Sequence, residues 1–202
     1  RLVAATDMSV MIFGENGTGK EHIAHHLHDK SKRAGKPFVA VDCGSLTKEL
    51  APSAFFGHVK GAFTGADSTK KGYFYEAEGG TLFLDEVGNL ALETQQMLLR
   101  AIQERRYRPI GDKSDRSFNV RIIAATNEDL EAAVSEKRFR QDLFYRLHDF
   151  GITVPPLRDC QEDILPLAEF FREIANKELE CNVSGFSSEA RKALLTHAWP
   201  GN

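Results

Sequence analysis

The stretch "SVMIFGENGTGKEHIAHHL" places a short apolar run, a glycine-rich loop and a helical pattern in immediate succession. The run at 9–13 reads as a buried strand; Gly14-x4-Gly19-Lys20 follows it, and Ile23, Ala24 and Leu27 then recur at helical spacing. This order constrains the fold strongly. Glycines let consecutive backbone N–H groups curl around an anion, and the helix that follows adds its partial positive charge. Gly14, Glu15, Asn16, Gly17, Thr18, Gly19, Lys20 and Glu21 are therefore the expected phosphate-binding residues, with the Lys20 ammonium directed to the outer phosphates. The general pattern asks for Ser or Thr after the lysine, where Glu21 stands; Mg²⁺ would be held by Thr18, by water or through Glu21 itself.

Further apolar runs at 37–41, 81–85, 120–126 and 151–154 read as strands, separated by helical patterns at 22–28 and 92–104. In the latter, Met97, Leu98, Ala101 and Ile102 share one face. Strand alternating with helix predicts an α/β fold built on a mainly parallel sheet with both faces covered. "VPPLRD" interrupts the alternation, because paired prolines suit neither a strand interior nor a helix interior. The boundary is placed there, giving an α/β nucleotide-binding subdomain over 1–156 and a small helical unit over 157–202. In the second unit Ile164, Leu165, Ala168, Phe171, Ile174 and Ala175 form a helical stripe, and "SSEARKALLTHAWP" reads as another helix ending near Pro200.

Composition excludes several classes. No apolar run approaches the ~18 residues that cross a bilayer, so no membrane role is expected. A net charge of −3 argues against a chain whose main work is neutralising nucleic-acid phosphates. The N-terminal "RLVAATDMSV" lacks the pattern of a signal peptide, and Cys43, Cys160 and Cys181 form no C-x-x-C pair; both fit a reducing cytoplasm. His22 and His26 share a helix face without a completing ligand and read as helix surface.

"TLFLDE" ends an apolar strand in two carboxylates. Strand C-termini in such sheets face the ligand crevice, so Asp85 is expected to help place Mg²⁺ and Glu86 to polarise the water that attacks a γ-phosphate. Asn127, after another strand, is suited to hydrogen-bond that phosphate or water. Arg138, Arg140 and Arg146 lie on a helix and its lead-in; an arginine supplied by a neighbouring subunit is worth ~10³ to 10⁵ in rate. Phe63, among Gly, Ala and Thr in "GHVKGAFTGADSTKKG", reads as a contact residue on a loop.

"GENGTGKE", "GAFTGA", "GGTLFLDEVG", "AATN", "FRQDLFYRL", "PPLRD", "EDI" and "WPGN" occur in that order over nearly the whole chain. Together they closely resemble the central AAA+ ATPase domain of bacterial sigma-54-dependent transcription activators. The resemblance implies an AAA+ P-loop fold with a helical lid, ATP and Mg²⁺ as cofactors, and ATP hydrolysis coupled to remodelling of sigma-54 RNA polymerase so that a promoter opens. Gly61, Ala62, Phe63, Thr64, Gly65 and Ala66 would form the loop tip offered to sigma-54, with the loop at 109–118 beside it. Asp85 and Glu86 take the magnesium and water roles, Asn127 the sensor role, and Arg140 and Arg146 act on a neighbour's ATP within a ring of six or seven subunits. Asp42 stands where many relatives carry an Asn that bonds the catalytic glutamate; Asp42 and Glu86 would repel unless one is protonated or a cation intervenes. By the same resemblance a sensory domain, in many relatives a two-component receiver, precedes this module. In relatives the chain continues into a lid helix bearing an arginine and a DNA-binding domain follows, so the resemblance implies that DNA is reached only through a domain outside these residues. The rival readings are an AAA+ ATPase acting on a different protein client, and a module that binds nucleotide without hydrolysing it.

Overall fold

In the computed structural model, which describes residues 3–202, the elements run β1 (Val10–Phe13), α1 (Lys20–Asp29), β2 (Phe38–Asp42), α2 (Ala51–Phe56), α3 (Tyr73–Glu76), β3 (Thr81–Asp85), α4 (Leu92–Glu104), β4 (Arg106–Tyr107), β5 (Arg116–Ser117), β6 (Arg121–Thr126), α5 (Leu130–Ser135), α6 (Gln141–Leu147), β7 (Phe150–Thr153), α7 (Gln161–Glu178) and α8 (Ser188–Thr196). All five expected strands are present, and the helix expected at 92–104 spans those residues.

Five strands form one parallel sheet in the order β2-β3-β6-β1-β7. Every residue of β6 is buried, as a strand flanked on both edges and covered on both faces must be. The register pairs Asp42 with Asp85 and Phe13 with Thr126, so the strand C-termini form one continuous edge. Against one sheet face pack Phe55, Phe56, Phe74, Leu98, Ile102, Leu143 and Leu147, joined to Met11, Leu82, Leu84, Ile122 and Ala124. These aromatic and branched side chains supply most of the apolar area removed from water, at about 25 cal/mol per Å².

The chain divides into two compact units. One comprises the residues up to Gly14 with Gly19–Thr153; the other comprises Glu15–Thr18 with Val154–Asn202. In the second unit α7 and α8 pack on each other, and the expected stripe on α7 is unevenly covered: Ile164 is buried, Leu165, Ala168, Ile174 and Ala175 are half-buried, and Phe171 is 61% exposed. Two helices offer each other a single seam, too narrow to cover a stripe this wide.

Within the first unit, buried Arg121 opens β6 and donates to the carbonyls of Val3 (2.9 Å), Ala4 (2.9 Å) and Met8 (3.2 Å). Arg33 similarly bonds Asp7, the Gly80 carbonyl and Asn119. The two guanidiniums tie the segment before β1 to the sheet.

Candidate functional site

The glycine-rich loop leaves β1 at Gly14, whose N–H donates to the Thr126 carbonyl of β6 at 3.2 Å. Gly17 and Gly19 adopt φ of +81° and +83°, conformations that a side chain would strain. Gly19 is the N-cap of α1, and an added Cβ there would meet nothing within 4 Å. Lys20 begins α1 and is buried; its Nζ donates to the Gly14 carbonyl at 3.0 Å and lies 3.8 Å from Glu86 Oε1. Backbone amides in a tight positive-φ loop beside an ammonium are a donor set that fits phosphate.

Asp85 ends β3, and its Oδ1 accepts from the Glu86 N–H at 3.0 Å. Glu86 sits in the left-handed region at φ 52°, ψ 45° and caps a short 3-10 turn, Val87–Asn89. A β-strand that must turn its next carboxylate back toward the loop uses that strained conformation, which costs about 1–3 kcal/mol and clusters at functional sites. Burial holds the Glu86 carboxyl above the usual range; Lys20 opposes the shift, Asp85 adds to it, the Asn127 N–H opposes it, and Asp42 adds the smallest contribution. Asp42 turns its Oδ1 to the Gly44 N–H at 2.8 Å. Thus Asp42, Asp85, Glu86 and Asn127 share the strand edge, and the cation between Glu86 and its surroundings is Lys20. Carboxylate oxygens at this edge are hard donors of the kind Mg²⁺ selects.

In the second unit, the Thr18 hydroxyl donates to the Glu15 carbonyl at 2.7 Å. Arg158 grips both Glu15 oxygens at 2.8 and 2.5 Å and holds that carboxyl below its usual range. Asn202 donates to the Asn16 carbonyl at 2.9 Å and accepts from the Leu157 N–H at 2.6 Å. Glu21, on exposed helix surface, lies 3.9 Å from His25.

Arg140 is the N-cap of α6 and pairs with Asp142 through two bonds of 3.0 and 2.7 Å. Arg146 is exposed in the last turn of the same helix, and Arg138 pairs with Glu128 and Glu136.

The loop from Gly57 to Gly72 runs between α2 and α3. Its tip is a closed turn in which the Gly61 N–H donates to the Ala66 carbonyl at 2.8 Å and the Ala66 N–H to the Phe63 carbonyl at 3.0 Å. Gly61 and Gly65 have φ of +81° and +94°, while Ala62 to Thr64 occupy the turn between them. Phe63 is 46% exposed, with its ring edge-to-face on His58 at 4.9 Å. The neighbouring loop at 109–118 lies alongside: the Val59 N–H donates to the Ile110 carbonyl at 3.0 Å, and the Ile110 N–H to the Gly57 carbonyl at 2.9 Å. Gly111 must be glycine here, since a Cβ would fall 2.8 Å from that of Ala62.

Two groups escape a reading from motifs. Gln95 is fully buried and bonds three backbone groups; its signal is a polar residue in register with the apolar stripe of α4. The Arg158–Glu15 pair has no local signal, because 143 positions separate its partners.

A parallel sheet ordered around a glycine-rich loop, with acids at the end of the strand two places away, defines an α/β P-loop NTPase. The family model "Sigma-54 interaction domain" matches residues 1–153, and "AAA+ ATPase lid domain" matches 158–202. The chain belongs to the AAA+ family of sigma-54 interaction domains. It is 48% identical over 202 residues to the transcriptional regulatory protein GlrR of Escherichia coli K12, covering 100% of this chain and 46% of that protein. It is 48% identical over 200 residues to the sigma54-dependent transcriptional activator SfnR of Pseudomonas putida, covering 99% of this chain and 55% of the relative. The structure of NtrX from Brucella abortus in complex with ATP superposes with a TM-score of 0.91 at 36% identity, over 100% of this chain and 45% of that one. The chain therefore spans about half the length of the relatives it matches.

Proposed function

We propose that this chain is the ATP-hydrolysing module of a sigma-54-dependent activator, coupling turnover to remodelling of sigma-54 RNA polymerase. The observation that carries the reading is the juxtaposition of Lys20 and Glu86, 3.8 Å apart, with Asp85 and Asn127 on the same strand edge. Gly14 to Glu21 bind the phosphates, with Lys20 directed to the outer ones. Asp85 would help place Mg²⁺, for which Thr18, water and Glu21 are the other candidate ligands, and the ion when bound would supply charge neutralisation for γ-phosphoryl transfer. Glu86, once ionised, accepts the proton of the attacking water, and Asn127 orients that water or the phosphate. Arg140 and Arg146 act on the ATP of an adjacent subunit in a ring, for which Arg140 exchanges its Asp142 pairing for phosphate. Asp42 tunes Glu86 at a distance. The boundary near 156 separates the nucleotide-binding subdomain from the lid, and the ordinary composition suits the cytoplasm.

The closed turn from Gly61 to Ala66 offers Phe63 and Thr64 to sigma-54. Support comes from an aromatic left half-exposed on a hydrogen-bonded turn, and from relatives whose name is sigma54-dependent activator. The test is capture of purified sigma-54 by this chain with a γ-phosphate transition-state mimic, against no nucleotide and against Thr64→Ala. Capture requiring both the mimic and Thr64 is expected. Absence of capture by an assembled chain shown to bind the mimic would overturn the client assignment and favour another AAA+ client.

A further inference from the structure

Gln95 is a buried side chain whose hydrogen bonds join the segment after the acidic pair to the segment that presents Arg140. It stands in the first turn of α4 with 0% exposure. Its Nε2 donates to the Leu90 carbonyl at 2.8 Å and to the Arg138 carbonyl at 3.0 Å, while its Oε1 accepts from the Arg140 N–H at 2.8 Å. Both amide hydrogens and one oxygen lone pair are thus used on backbone.

The partners matter more than their number. Leu90 closes the short turn that begins at Glu86, through its N–H to the Val87 carbonyl at 3.3 Å. Arg138 and Arg140 flank Phe139, which is buried and donates its N–H to the Ala133 carbonyl. Gln95 therefore clamps the backbone on both sides of Phe139, and Asp142 holds the Arg140 guanidinium from beyond it. Backbone and head group of Arg140 are fixed separately, one by an amide that also holds the Glu86 turn.

We infer that Gln95 is the positioning residue for Arg140, registering it against the Glu86–Leu90 turn of its own subunit so that the arginine is aimed at the nucleotide of the next. The inference rests on the reading that Arg140 acts in trans. A merely structural amide would serve its own subunit's site and the neighbour's alike; a clamp on Arg140 serves the neighbour's. Misplacing a catalytic group by about 1 Å costs on the order of 10²-fold in rate.

Mixed rings separate these cases. A subunit carrying Arg140→Ala keeps Glu86 but donates no Arg140, and one carrying Glu86→Gln donates its arginines but cannot turn over; mixing them is expected to restore ATP hydrolysis that neither has alone. Gln95→Met added to the Glu86→Gln subunit is expected to lower that restored rate by about 100-fold at unchanged KM, at least tenfold more than the same change in the Arg140→Ala subunit. Gln95→Asn, which keeps an amide one methylene too short, is expected to reproduce the asymmetry and serves if the methionine variant fails to fold by thermal melting. Equal losses in both placements, or none, would overturn the assignment of Gln95 while leaving Arg140 in its role. Failure of the two parent variants to complement at all would instead overturn the action of Arg140 in trans, and the inference with it.

Discussion

The ammonium of Lys20 lies 3.8 Å from the carboxylate of Glu86, joining the glycine-rich loop to the acidic strand end. Removing the charge from Glu86 leaves the loop intact, because the bond from Lys20 to the Gly14 carbonyl is independent of it. Glu86→Gln is expected to abolish ATP turnover, by at least ~10²-fold, while ATP affinity stays within a few-fold. Steady-state hydrolysis and equilibrium nucleotide binding on the same preparation check this; unchanged turnover would remove Glu86 from the chemistry.

The raised proton affinity of Glu86 gives a pH signature. Its carboxyl is held up chiefly by burial, so the acid limb of turnover is expected above the range of an ordinary glutamate, with activity lost as pH falls through that point. The stability sign is opposite to that of a salt-bridged acid. Folded Glu86 binds its proton more tightly than the unfolded chain does, so its ionisation costs stability as pH rises from the unfolded value through the folded one. Glu86→Gln should therefore melt above the parent at neutral pH, with the difference shrinking in acid. A difference that grows on acidification would show that the carboxylate is favoured in the fold.

How much of this was legible in the sequence depends on the range of the interaction. The strands and the helix at 92–104 were readable because periodicity is local, and the strand-loop-helix turn from Gly14 to Lys20 because its glycines and flanking patterns are contiguous. The partners of Arg121 were not, since Val3 and Ala4 stand more than a hundred positions away and a lone arginine opening a strand carries no mark of burial. Gln95 lay in view on the stripe of α4, but only the fold reveals that its partners are the two segments bearing Glu86 and Arg140. Phe171 misleads in the other direction: helical spacing marks a face as apolar without saying whether anything covers it.

Arg121 makes a stability prediction apart from chemistry. Arg121→Met preserves much of the volume but strips three carbonyls of their donor, at about 1–3 kcal/mol for each group left buried and unsatisfied. Because the segment from Val3 to Met8 can then partly open to water, a net loss of about 3 kcal/mol is expected, seen as a lower urea midpoint at unchanged slope. A midpoint within error of the parent would show that the clamp contributes nothing net.

The pairing of His58 with Phe63 separates a contact role from a packing role. His58 is braced by Ser53 through a 2.7 Å bond to Nδ1 and meets the Phe63 ring edge-to-face. Phe63, half in solvent, supports little of the fold beyond its contact with His58, so Phe63→Ala is expected to lower folding stability by no more than about 1.5 kcal/mol while abolishing mimic-dependent capture of sigma-54. His58→Ala leaves Phe63 present but no longer braced; an edge-to-face pair is worth about 0.5–1.5 kcal/mol, which predicts a two- to tenfold weaker Kd for sigma-54 rather than its loss. Titration of labelled sigma-54 against both variants, alongside their thermal melts, decides the matter. If Phe63→Ala destabilises the chain by several kcal/mol, the ring is a packing element and its exposure is incidental; if His58→Ala abolishes capture as completely as Phe63→Ala, His58 is itself part of the contact surface.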